Sequence, residues 1–76
     1  MNAAAIYSTD QHPSEPPVWD ATGSLDPVTL REMAMQFLMG TFKTVLEFIG
    51  GYETPETRVI ENGRHIATIV VTELAA

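Results

Sequence analysis

At 76 residues the chain makes one small domain at most, of a size that buries only about 60% of the surface its unfolded form exposes. It has no cysteine, which excludes disulfides and thiolate-held zinc or iron–sulfur sites. Ten acidic against four basic side chains give a formal net charge of −6, which excludes the clustered Lys and Arg that a nucleic-acid partner requires. Hydrophobic residues make up 45% of the chain and charged ones 18%, so it is composed to fold, and reinforcement has to come from oligomerisation or a protein partner.

Residues 1–23 read as an extended arm. Asp10, Glu15, Asp20 and Asp26 are acidic, and no Lys or Arg precedes Arg31. The opening Met1-Asn2-Ala3-Ala4-Ala5 places no basic residue ahead of an apolar run, so no secretory signal peptide is expected and a cytoplasmic location fits, a host's cytoplasm if the protein is viral. Pro13, Pro16 and Pro17 bias the backbone to polyproline II, a conformation that loses little entropy on docking. The Pro13-x-x-Pro16 spacing lacks the flanking basic residue of most adaptor-domain ligands. Trp19, beside Pro16 and Pro17, is a candidate anchor, either in a partner's pocket or on the protein's own core.

Residues 24–76 read as a helix followed by a β-hairpin, giving an α+β class. Asp26 is placed as an N-cap and Pro27 as the first helical residue, while Gly50-Gly51 offers a left-handed stop with Pro55 beyond it. The spacing predicts one long helix over 27–49. On a helical projection its polar stripe (Thr29, Glu32, Gln36, Gly40, Lys43, Glu47) is narrow, and its apolar arc is wider than one packed layer can cover. One seam runs Leu30, Met33/Ala34, Phe37, Thr41, Val45, Phe48. A second runs Met35, Met39, Phe42, Leu46, Ile49 at the 4-3-4-3 spacing of helix–helix packing.

Asn62-Gly63 between Arg58–Glu61 and Arg64–Thr72 is the signal for a hairpin with a type I′ turn. That turn predicts Glu61 opposite Arg64, Val59 opposite Ile66 and Thr57 opposite Thr68. Ile69-Val70-Val71 breaks the alternation, which points to a strand covered on both faces or paired to a further one. The candidates are Ile6-Tyr7-Ser8-Thr9 from the arm or a strand of a second chain.

Little in the chain suggests chemistry. His12 and His65 are the only histidines, and no pattern joins a nucleophile, a base and an orienting acid. Neither His-x₃-His, a helical Glu-x-x-His nor an Asp-rich loop is present, so no metal, cofactor or catalytic residue is expected. The glycine pair sits at the wrong end of the predicted helix to cradle a phosphate. A membrane role is disfavoured, because charges interrupt the apolar run and anionic lipid repels an acidic chain.

The expected function is therefore that of a small non-enzymatic interaction protein. It would form a homodimer that binds and modulates or inhibits a larger protein target, by analogy with virus- or prophage-type accessory proteins. The alternative is a structural subunit of a multi-copy assembly, such as a virion or secretion particle, held by its arm and second helical seam. Met35, Met39, Phe42, Leu46, Ile49 and Val70 are the expected self- or partner-interface residues, with Trp19, Pro16 and Pro17 as partner anchors.

Overall fold

In the computed structural model, which describes residues 1–12 and 14–74, the chain runs through β1 (Asn2–Ser8), β2 (Trp19–Gly23), α1 (Pro27–Thr41), β3 (Leu46–Gly50), β4 (Glu56–Glu61) and β5 (Arg64–Glu73). The strands form one antiparallel sheet in the order β2-β1-β5-β4-β3. The α+β class is as expected, with a five-stranded sheet in place of a single hairpin. Pro13, from the proline-rich stretch, lies outside the described residues.

The β4–β5 turn follows the sequence rule. Asn62 and Gly63 both have positive φ, 52° and 75°, as a type I′ turn demands, and Glu61 pairs with Arg64 and Ile60 with His65. Beyond that point the expected register fails. A bulge between Val59 and Ile60 sets Val59 opposite Ala67 and Thr57 opposite Ile69, one residue further along β5 than the turn alone predicts. The consequence is an exchange of faces. Without the bulge Ile66, Thr68 and Val70 would share the side of Val59; with it Ala67, Ile69 and Val71 do, and Ile69 is fully buried.

Residues 2–8 and 19–23, expected as parts of an arm, are the strands that finish this sheet. The third-strand candidate Ile6-Tyr7-Ser8 is the end of β1, which pairs with β5 from Asn2↔Glu73 to Ser8↔Ala67. β2 then pairs on the outer side of β1, with Trp19 opposite Ile6. This explains the Ile69-Val70-Val71 run: β5 is central, bonded to β1 on one edge and β4 on the other, and one of its faces is covered.

The helix begins as read and ends early. Asp26 caps it, its carboxylate accepting from the Thr29 N–H at 2.8 Å, and Pro27 occupies the first turn. It stops at Thr41, where Phe42 turns extended (φ −97°, ψ 114°) and donates its N–H to the Leu38 carbonyl. The predicted continuation over 42–49 is overturned. Gly40 weakens the helix, and Thr41, Phe42, Thr44 and Val45 are aromatic or β-branched, so Leu46–Gly50 gains more by pairing with β4 as β3. Gly50 and Gly51 do hold positive φ, 87° and 97°, but they shape the β3–β4 connection and cap no helix.

α1 lies on β1, β5 and β2. Its inward face is Leu30, Arg31, Ala34 and Leu38. Ala34 and Leu38 meet Ile6, Val59, Ala67 and Ile69 in the core, and Trp19, Met35, Leu46, Phe48, Ile66 and Val71 pack around them. The opposite face of the sheet carries no helix. Across it run Ile49, Arg58, Thr68 and Tyr7 in one row, and Glu56, Val70, Ala5 and Asp20 in the next.

Candidate functional site

The two flanks of α1 differ. On one, Phe37 stacks on Trp19 of β2, ring centroids 5.9 Å apart and 26° from parallel. On the other, Arg31 reaches the β3–β4 connection, donating from Nη1 to the Gly51 carbonyl with its guanidinium 4.0 Å over the Tyr52 ring. Met35 and Met39 follow Arg31 at helical spacing and share its flank, while Phe42, the C-cap, lines a cavity with Ser8, Thr9, Asp10, Arg64 and Ile66. Of the expected second seam, the helix therefore holds Met35 and Met39, its cap is Phe42, and β3 holds Leu46. Met35 and Leu46 are half-buried against the core, while Met39 and Phe42 stay exposed.

Ile49 and Val70 leave this group. Strand alternation puts Ile49 on the opposite face of β3 from Phe48, beside Arg58. Val70 lies on that same helix-free face, half-buried between Ala5 and Glu56 in the middle of the sheet. The anchor residues disperse as well. Trp19 packs on the chain's own core, the Pro16 carbonyl accepts from Gln11 Nε2, and Pro17 is half-buried.

Three features escaped the sequence reading. Among the described residues β3 is an edge strand with no neighbour on its outer side. Large apolar side chains line that border: Val45 is 86% exposed and Tyr52 83%, with Ile49 and Met39 also open to solvent. The third is Arg31, which the helical projection places as a lone charge inside the apolar arc and which is only 4% exposed. The apolar alternation of Leu46 and Phe48 with Glu47 could have revealed the strand, and the place of Arg31 inside the apolar arc its burial.

Charged groups offer few constellations. His12 Nδ1 lies 2.8 Å from Ser14 Oγ and His65 Nε2 2.9 Å from Thr68 Oγ1, each a local contact. Among the described residues no group of three or more His, Cys, Asp or Glu is placed to hold a metal. The Asp26 carboxyl is held below the ordinary carboxylate range by the Thr29 N–H, and Asp10 by the Ser8 hydroxyl. No helix among the described residues is long and apolar enough to cross a membrane.

No family model, curated protein or solved structure matches the chain. Function has to be argued from the surface itself, and that surface is a bare strand edge bordered by apolar side chains.

Proposed function

We propose that the chain is a small non-enzymatic interaction protein that self-associates through β3 and, as a homodimer, engages a larger protein target. The observation that carries this reading is the unpaired β3 edge with Val45, Ile49 and Tyr52 exposed along it. An edge strand leaves a row of N–H and C=O groups unpaired and is a template for another strand. A second copy suits this one. Two antiparallel β3 strands centred on Phe48 set Glu47 opposite the second copy's Ile49, so that no carboxylate faces its own copy and each apolar side chain loses water. Val45 and Tyr52, exposed at the two ends of the strand, extend the buried area toward the roughly 1,200 Å² that a specific interface needs. The runner-up reading, a structural subunit of a multi-copy assembly, draws on the same edge, with further contacts from the helix-free face. Modulation or inhibition of the target, and a viral or cytoplasmic setting, are extensions of this proposal by analogy with other small acidic proteins.

Sedimentation equilibrium over a range of concentrations tests it. A dimer that Val45→Lys and Ile49→Lys each convert to a monomer, with circular dichroism unchanged, supports self-association at β3. A native chain that stays monomeric at all concentrations overturns it, and growth into large particles favours the structural subunit.

A further inference from the structure

Arg31 plays no part in the β3 surface, and its environment is unusual. The side chain is 4% exposed, yet a guanidinium keeps its charge at any ordinary pH. Burying a cation is costly unless it is paired. Its hydrogen bond goes to a neutral acceptor, the Gly51 carbonyl, and its face to the Tyr52 ring, a weak cation–π contact. None of the side-chain hydrogen bonds among the described residues joins it to a carboxylate. A guanidinium has five N–H donors, and most are left over. Every fully buried side-chain nitrogen of the described residues has a partner, so any nitrogen of Arg31 without one keeps a small contact with solvent. Arg31 lines a cavity of about 320 Å³.

The local backbone is arranged to keep Arg31 where it is. Gly51 has φ 97°, and a Cβ there would collide with Thr57 Oγ1 and come within 3.0 Å of Arg31 Cδ. Only glycine lets the β3–β4 connection close over the arginine. Around the cavity stand Asn2, Thr54 and Thr72 as neutral polar groups, Val28 and Val71 as apolar wall, and Glu53 and Glu73 as carboxylates.

We propose that this cavity binds a small zwitterionic carboxylate of amino-acid size. The ligand's carboxylate takes the free fork of Arg31, for which a planar two-oxygen anion is the natural partner. Its ammonium faces Glu53 and Glu73, and Tyr52 covers the arginine's outer side. The charge pattern selects against simple anions: phosphate would meet two carboxylates in a chain of net charge −6, whereas a zwitterion meets a charge of opposite sign at each end. The volume lies at the small end of ligand sites, which suits a single amino acid and excludes a dinucleotide. The site shares Tyr52 with the β3 border, so the Glu53/Glu73 variant, which leaves Val45 and Ile49 untouched, separates the failure of one reading from that of the other.

The test is a titration of the ¹⁵N-labelled full chain, followed by the Gly51, Tyr52 and Thr54 amides. The probes are glycine, leucine and lysine, with acetate and inorganic phosphate as controls. Saturable shifts with an amino acid, about tenfold tighter than with acetate, support the proposal. Tyr52→Ala, at an exposed position, is expected to weaken binding severalfold with the fold intact, and Glu53→Gln combined with Glu73→Gln to abolish the preference over acetate. Arg31→Lys is expected to abolish saturation. Should that variant fail to fold, the Glu53/Glu73 double variant decides alone. Absence of saturation with every amino acid, tighter binding of phosphate, or an unchanged preference in the double variant would each overturn it.

Discussion

Around β5 the sheet is bonded on both edges and roofed by α1, and Ile6, Val59 and Ile69 there are wholly buried. At the other border β3 is bonded on one edge, and Val45, Ile49 and Tyr52 beside it face water. Both regions are strands rich in large apolar residues, so composition alone does not separate them. What separates them is coverage. The first is where the chain stores its stability, and the second is where it has surface to offer.

That contrast can be broken outright at Ile69 and Ile49. Ile69→Ala is expected to remove about 2–5 kcal/mol in urea unfolding, enough to unfold much of a small domain. Ile49→Lys, by contrast, is expected to change stability by no more than about 0.5 kcal/mol and to disperse the proposed dimer. Equal losses in the two variants would erase the distinction between core and border. Gly51→Ala comes next, because a side chain at positive φ that also strikes Thr57 and Arg31 is expected to cost about 1–3 kcal/mol by the same assay. Native-state hydrogen exchange sharpens the picture without mutation: β5 amides are expected to exchange only through global unfolding, β3 amides through local opening. If dimerisation covers the edge, raising the protein concentration slows β3 exchange and leaves β5 unchanged.

The smallest effect is electrostatic and sits away from both regions, at the start of α1. The Asp26 carboxyl titrates below its ordinary value in the folded chain because the Thr29 N–H stabilises its charge. Its contribution is present above the unfolded-state value and is lost as pH falls through the lowered folded one. Asp26→Asn keeps a capping oxygen that does not titrate. The stability difference between native chain and variant is therefore expected to change only in acid, over that window, and to stay flat above it in pH-dependent melting.

Two local signals hold, while a third, the Gly50-Gly51 helix stop, shapes a strand connection instead. Asp26-Pro27 and Asn62-Gly63 specify their structures through bonds within a few residues, so the cap and the turn stood where the pattern put them. The fate of residues 42–49 was decided elsewhere. Their 4-3-4-3 apolar spacing is compatible with a helix, but Gly40 weakens that choice and β4 supplies the partner that wins. β1 was legible only in its Ile6-Tyr7-Ser8 half, because Asn2-Ala3-Ala4-Ala5 has no strand propensity of its own and is held by β5 and β2. The Val59–Ile60 bulge was invisible because its cause is the burial of Ile69 opposite Thr57, a contact between chains of residues that no short window contains. Among the expected interface residues the same logic applies: Leu46, Ile49 and Val70 lie on strands, whose faces a helical projection misassigns.

The position of β5 between β1 and β4 has a kinetic consequence. Its ladder to β1 joins residues as far apart as Asn2 and Glu73, and the connection from β2 to β3 carries the chain from one border of the sheet to the other. A chain emerging from the ribosome can form α1 and the β3–β4 hairpin early, but β1 has nothing to close against until the Arg64–Glu73 segment is available. Closing such distant ends precedes the reward for doing so, which places folding among the slow, milliseconds-to-seconds topologies despite the small size. During that interval the bare edges of β1 and β4 are open to any neighbouring chain, and nascent copies on one messenger are the nearest candidates.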